Sequence, residues 1–465
     1  MLAAQLTRLR DGEPAGVEEA LELVTGFDEA LVHGLARLSE QHAAALTALA
    51  GAFALTPIGE GAAEAAVKVV SGSIAEEHLT MLAGGRTALL GAVHDALLAE
   101  LDAALGRERA AWQAAQPEAD GAGNLLGAAR SWLCELAITG WRGVDHDLVS
   151  ASDQTVEALL AVPEQRRPAV LLDGLAAELR ACCPIGTMER LPVRRWADLW
   201  TRALLLARAG GQSGERVAAE RLSGRLLILG VDVHEHATAV QLQVHGVLEP
   251  AGGGRARLVR TSVAAAKVDT IVGPAVWKLP HRHPRLLSAL AGRRSLEITD
   301  MPVLASGDLV WDDDRARAGA PVDAFAVARV SLAGALAPAA PPLDRHPVLI
   351  AEPVLVADYK VTRDGSFDLG GVVLAVDTDG LPACGPLTPK LVAGSSECIG
   401  LMRWDGGGWL LQPLAVRAKV KSETIEAHTG DWAMGPTDPK VVKAEARAGD
   451  AVAVLRERAG RLLRR

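Results

Sequence analysis

Apolar positions recur at steps of three and four up to about residue 210 and at steps of two beyond it, so the chain reads as a helical part followed by a β-rich part. In GVEEALELVTGFDEALVHGLARLSEQHAAALTALAG, the residues Val17, Ala20, Leu21, Val24, Phe27, Leu31 and Leu35 form a one-sided apolar stripe. The stretch from SGSIAEEHL to GRERAAW repeats the pattern, and Ser73 followed by Glu76 predicts a capping box at its start. Residues 117–123 read as a loop. The spacing then predicts helices over 124–142, 151–162, 168–182 and 193–209, with Pro163, Pro168, Pro184 and Pro192 at their edges. AGGQSGE, 209–215, predicts a flexible link and the main domain boundary.

Beyond it the period is two. Val240, Leu242, Val244 and Leu248 alternate with Gln241, Gln243 and His245. This predicts a half-buried strand with Gln241 and Gln243 facing water. GVDVHEHATAVQLQVH, 230–245, is expected to run as one strand, which without a bulge puts His234 and His236 on the face of Val240 and Leu242. PAGGGRA, 250–256, predicts a turn and RLVRTSVAAA the returning strand. Further strands are predicted over 296–304, 325–333, 348–361, 371–377 and 409–421, with hairpin turns at Asp379–Gly380 and in WDGGGW, 404–409. Short helices are expected over 281–293 and 389–393. Asp438 and Pro439 are an N-cap and a first-turn residue for a closing amphipathic helix through Val441, Ala448, Val452, Leu455, Ala459 and Leu462.

These elements predict an α+β multidomain protein. An all-helical domain, 1–210, precedes an antiparallel β-rich domain, 217–436, of meander or barrel type, with an OB-like barrel as the specific expectation. A C-terminal amphipathic helix, 438–465, closes the chain. A length of 465 residues supports more than one hydrophobic core. Aromatics are only 3%, so Ala and Leu supply much of the apolar content and favour helix. Arg predominates over Lys, which suggests a GC-rich bacterial genome.

The formal net charge of −9 makes the chain a poor general binder of polyanions, although a local basic face is compatible with it. No window of about 18 uninterrupted apolar residues occurs, so no membrane span is predicted. The start lacks a signal-peptide pattern. The five cysteines are odd in number and contain no C-x-x-C pair, which fits free thiols in a reducing cytoplasm and argues against a zinc ribbon. No P-loop or strand-to-helix G-x-G-x-x-G is present, so neither ATP nor NAD is expected, and no cofactor is assigned.

Candidate chemistry is sparse, and no catalytic residue is assigned. Two H-x-H pairs stand out, His234/His236 and His281/His283, because neighbours two apart on a strand share a face and can share a metal. No H-E-x-x-H accompanies them, and strand-end histidines with hydrogen-bonded partners are the favoured reading. Asp312, Asp313 and Asp314 are followed by Arg315 and Arg317 and read as a solvated turn. Ser395, Ser396 and Cys398 lack the setting of a nucleophile elbow. Cys182 and Cys183 sit at a helix end that does not activate a thiol.

Arg194, Arg195, Trp196 and Trp200 lie on one predicted helix. Trp404 and Trp409 flank a Gly-rich hairpin. Tryptophan and arginine are the residue types of interaction hot spots, and core packing accounts for the tryptophans equally well. Three functional readings follow. The leading one is a non-catalytic interaction subunit, a scaffold or adaptor with a protein partner in a cytoplasmic bacterial assembly. The second is a metal-dependent hydrolase using His234 and His236. The third is a nucleic-acid-binding module acting through the β-rich domain.

Overall fold

The computed structural model describes all residues except 13, 113–122, 163–164, 209–216, 237, 421–422, 450 and 463–465. The loop expected over 117–123, apart from Gly123, and the link over 209–215 lie outside the described residues.

The helical part consists of α1 (Ala3–Asp11), α2 (Val17–His33), α3 (Glu40–Gly51), α4 (Gly59–Val70), α5 (Glu76–Leu105), α6 (Gly123–Thr139), α7 (His146–Ser150), α8 (Asp153–Leu160), α9 (Arg166–Cys182) and α10 (Val193–Arg208). The stripe read from the sequence is its core. Phe27, Leu31 and Leu35 pack with Leu46, Leu82, Leu133, Leu175, Trp196 and Trp200. The expected capping box at Ser73 does not form. The helix starts at Glu76, His78 turns its ring back to the Ser73 carbonyl at 2.9 Å, and Glu76 instead pairs with Arg130 at 2.7 Å. An ion pair to a neighbouring helix has taken the side chain that would have closed the box.

The ends of α2 and α6 meet backbone to backbone at Gly34 and Gly140, whose φ angles are 84° and 78°. A Cβ on Gly140 would lie 2.1 Å from the Gly34 nitrogen. Gly140→Ala should therefore destabilise the protein by about 1–3 kcal/mol in urea unfolding, from strain and the forced separation of two chain segments.

Two open sheets follow. The first has the order β3-β2-β1-β4-β5 and is antiparallel throughout: β1 (Val217–Glu235), β2 (Ala239–Pro250), β3 (Arg257–Ala266), β4 (Arg294–Leu304) and β5 (Ala316–Pro321). Helix α11 (Pro284–Ala291), between β3 and β4, covers one face. The second contains β6 (Glu352–Ala357), β7 (Lys360–Val361), β8 (Phe367–Asp368), β9 (Val373–Val376), β10 (Ser395–Asp405), β11 (Gly408–Val420) and β12 (Glu423–His428). Its order is β6-β10-β11-β9-β8-β7, with β12 also on β11. One edge of β11 is shared, because its start pairs parallel with β9 and its end pairs antiparallel with β12.

The strands thus form an antiparallel-rich pair of sheets and do not close into the expected OB-like barrel. The long strand β1 lies against the second sheet at Gly230, where a Cβ would come within 2.7 Å of the Leu414 Cβ. Leu227, Leu229 and Val247 pack there with Ile399, Ala415 and Phe325. The sheets meet by face packing, which leaves their edges separate.

Three local readings change. Most of the stretch 325–333 is a helix and not a strand: α12 (Ala324–Ser331) is capped by Asp323, which accepts from the Phe325 and Ala326 N–H groups at 2.9 and 3.1 Å. Ala324, Phe325 and Ala328 are buried at helical spacing, whereas the β-branched Val330 is exposed. The stretch 230–245 is two strands, because β1 ends at Glu235 and β2, antiparallel to it, starts at Ala239, with His236 N–H bonded to the Ala239 carbonyl at 2.8 Å. After α13 (Pro389–Ala393), the closing segment is two helices, α14 (Pro439–Ala448) and α15 (Ala451–Leu462). Gly449 separates them at φ 79°. Asp438 caps the first as expected, accepting from Lys440 N–H at 2.7 Å.

The β-rich part is not packed independently of the helices. Leu6 and Leu9 of α1 and Val93, Leu97 and Leu101 of α5 share a core with Val354, Met402, Leu411 and Val416 of the second sheet. Among the described residues, no helix is long and apolar enough to cross a membrane.

Candidate functional site

The reversal between β1 and β2 sets the chemistry of the first sheet. Antiparallel pairing puts His234 opposite Gln241 and Asp232 opposite Gln243, while Val233 is opposite Leu242. Residues directly opposite share a face. The histidine is therefore on the polar side of the sheet, not on the Val240 side as a single straight strand would place it. The apolar side, with Val240, Leu242 and Val244, is buried as expected under α11 and Trp277. The polar side does not simply face water. Gln241, Gln243 and His245 of β2, with Arg260 and Ser262 of β3, line a cavity of about 1140 Å3. Its other walls come from α5 and α10, from the stretch 338–353, and from Arg403 of β10.

Arginines in and around this cleft carry their own counter-ions. Arg260 binds Asp308 through two hydrogen bonds of 2.9 and 3.0 Å. Arg403 donates to Asp232 at 2.5 Å, and Gln412 donates to the same carboxylate at 2.8 Å. Arg109 holds Asp102 at 2.8 and 3.0 Å and approaches Glu352 at 3.3 Å, while Arg107 donates to Glu352 at 2.9 Å. Arg202 pairs with Asp344 at 2.6 Å.

Burial would raise the Asp232 carboxyl, but His234, Arg403 and Gln412 outweigh it and hold it down at about 2. Glu352 is likewise held at about 2, where Arg109, Arg107 and Arg260 overcome its burial. His245 differs. It is fully buried, and neither ring nitrogen has a hydrogen-bond partner among the described residues. Burial, reinforced by Arg260, pushes it down to about 3, so it is a neutral imidazole at pH 7. A polar group buried without a partner costs about 1–3 kcal/mol.

These depressed values fix the acid response. His245 binds a proton near 6.5 when unfolded and at about 3 when folded. Asp232 and Glu352 move from 3.8 and 4.5 to about 2. In each case the unfolded chain takes up protons first, so stability is present above the unfolded value and is lost as pH falls towards the folded one. Stability in urea should begin to fall below about pH 6.5 and fall most steeply between about 4.5 and 2, where each carboxylate contributes about 2–3 kcal/mol. His245→Phe should flatten the upper part of this decline and leave the lower part.

The residues singled out in the sequence fall in different places. His234 is half-exposed, with Nε2 3.0 Å from Asp232. His236 is exposed, with Nδ1 3.4 Å from the Thr238 hydroxyl. Among the described residues, no three His, Cys, Asp or Glu side chains converge as a metal site. Asp313 receives the Arg285 and Leu286 N–H groups at the start of α11, and Asp312 pairs with Arg315. Ser395 bonds the Tyr359 hydroxyl at 2.5 Å. The five cysteines are free, and burial pushes Cys134 and Cys384 up to about 11 and about 12.

Trp196 and Trp200 are fully buried in the helical core, with the Trp200 indole N–H bonded to the Leu133 carbonyl at 2.8 Å. Trp404 is buried edge-on against Trp409, opposite it across the hairpin. Arg194 pairs with Asp28 at 2.9 Å and Arg195 with Glu178. The fold nevertheless brings Arg194, Arg195 and Trp404 to one groove of about 560 Å3 beside the cleft. The groove and the cleft share Arg195, Arg202 and Leu349.

The sequence reading passed over Arg260, Glu352 and Arg403. The signal it contained was the polar face Gln241–Gln243–His245, which is costly to keep on a strand unless it meets water or a polar wall. No family model matches the chain, and neither does a curated protein or a solved structure.

Proposed function

We propose that this protein is a non-catalytic interaction subunit, an adaptor of a cytoplasmic assembly. Its docking site is the groove between α10, the stretch 343–349 and the tip of the 404–409 hairpin. The observation that carries the reading is the convergence there of Arg194, Arg195 and Trp404 with Val348 and Leu349, which remain 45% and 42% exposed. Partly exposed aliphatics beside an aromatic, with arginine at the rim, are the composition of an interface. The arginine side chains at this rim, 35% and 58% exposed and matched to Asp28 and Glu178, form a polar, charge-balanced border that fits a protein segment with an apolar anchor flanked by polar side chains.

The state of the ionisable groups supports binding over acid–base chemistry. A general acid or base works best with a pKa near the operating pH. In the adjoining cleft Asp232 and Glu352 are held at about 2 and His245 at about 3.

Site-specific photo-crosslinking in the native cell tests the proposal. A photoreactive residue at Val348 should give a discrete adduct with a protein other than this chain, and the same residue at exposed Val170 on α9 should not. Adding Leu349→Asp should remove the adduct while leaving the melting temperature unchanged. Equal labelling at both positions, or an adduct that survives Leu349→Asp, would overturn it.

A further inference from the structure

We propose that the cleft on the polar face of the first sheet binds an uncharged polyhydroxylated small molecule, a neutral saccharide, with His245 as a recognition residue. The site is separate from the neighbouring groove in its chemistry and does not depend on the reading given to that groove.

The first argument is hydrogen-bonding capacity. His245 is fully buried in the cleft wall, and both ring nitrogens lack partners among the described residues. A neutral imidazole offers one donor and one acceptor. Gln243 and Ser262, directly opposite each other across β2 and β3, and Gln241 on the same face also offer both. A hydroxyl is the ligand group that both donates and accepts at one atom, so a polyol can satisfy all of these side chains. A carboxylate or phosphate offers acceptors only.

Charge points the same way. Arg260 is matched to Asp308, Arg403 to Asp232, Arg202 to Asp344, and Arg109 to Asp102 and Glu352. An anion entering the cleft would meet a carboxylate beside every one of these cations. A neutral ligand meets alternating donors and acceptors. A volume of about 1140 Å3 is at the upper end of small-molecule sites and has room for a mono- or disaccharide.

The test uses the full chain. Isothermal titration and thermal melts are run with glucose, maltose, sucrose and trehalose, and with glucose 6-phosphate as the charged control. Saturable binding of a neutral sugar at low millimolar concentration is expected, with glucose 6-phosphate weaker by about tenfold or more. Saturation separates a site from the general stabilisation that concentrated sugars give any protein.

His245→Phe removes both unpartnered ring nitrogens from a buried position and should weaken the bound sugar by about tenfold or more without lowering the melting temperature. Gln243→Leu on the same face should weaken it in parallel, which keeps the test decisive if the first variant fails to fold. Absence of saturable binding by any of the neutral sugars would overturn the proposal, as would preference for glucose 6-phosphate. Unchanged affinity in folded His245→Phe would overturn it as well.

Discussion

Leu242→Asp should leave the first sheet unfolded at neutral pH, and Leu242→Val should be mild. Leu242 is fully buried, with Val233 opposite it on β1 and Val263 opposite it on β3. Around it lie Val240, Val244, Leu286 and Trp277. None of these carries a positive charge, and the Trp277 indole N–H already donates to the Cys384 carbonyl at 2.7 Å, so the aspartate is buried alone or the strand is expelled. The expected loss is about 4–5 kcal/mol or more, against a total stability of about 5–15 kcal/mol for an ordinary domain. Removing one methylene with valine should cost about 1 kcal/mol. Urea unfolding followed by far-ultraviolet circular dichroism checks both. An aspartate variant melting within a few degrees of the parent would show that this face is not the core of the sheet.

Arg86→Met should destabilise the helical part by about 3–5 kcal/mol. Arg86 is only 1% exposed, yet it lies on α5 between two carboxylates. It reaches Asp28 of α2 at 2.6 and 3.1 Å and Asp198 of α10 at 2.6 Å. Arg194 and His346 complete the network, at 2.9 Å from Asp28 and 3.3 Å from Asp198. Deleting the guanidinium leaves Asp28 buried with Arg194 as its remaining counter-ion. The cost is mostly that stranded carboxylate, so adding Asp28→Asn should restore much of the loss. A double-mutant cycle in urea measures it, and additive effects of the two changes would show that the ion pair is not the cause.

The helical part was largely legible because its signal is local. The stripe through Val24, Phe27 and Leu31 and the tryptophan face of α10 repeat at the helical period, and the structure buries those residues. The hairpin at 404–409 was legible through its glycines. The reversal between β1 and β2 was not, because HEHATA contains no Gly, Asn or Pro to mark a turn. Helix α12 was misread because Val327 and Val330 imitate a strand, while its real determinants are the Asp323 cap and one buried side. The cleft was illegible for another reason. Its pairs join residues far apart in the chain, such as Asp232 with Arg403 and Arg107 with Glu352, and no periodicity links them. The barrel expectation failed because alternation fixes which residues face inward on each strand but not whether a sheet returns to its own edge.

Helix α5 runs unbroken from Glu76 to Leu105, and its two ends serve different cores. Leu79 and Leu82 belong to the helical core, Val93, Leu97 and Leu101 to the second sheet, and Leu89 touches both. Each residue of an α-helix turns its successor by about 100°. Deleting one residue in the middle of α5, at Gly84 for example, would rotate Leu97 and Leu101 away from the sheet by about that angle if Leu79 kept its place. The angular phase of this one helix is therefore a shared constraint: the two ends of the protein stay in register with each other only as long as the number of residues between them is fixed.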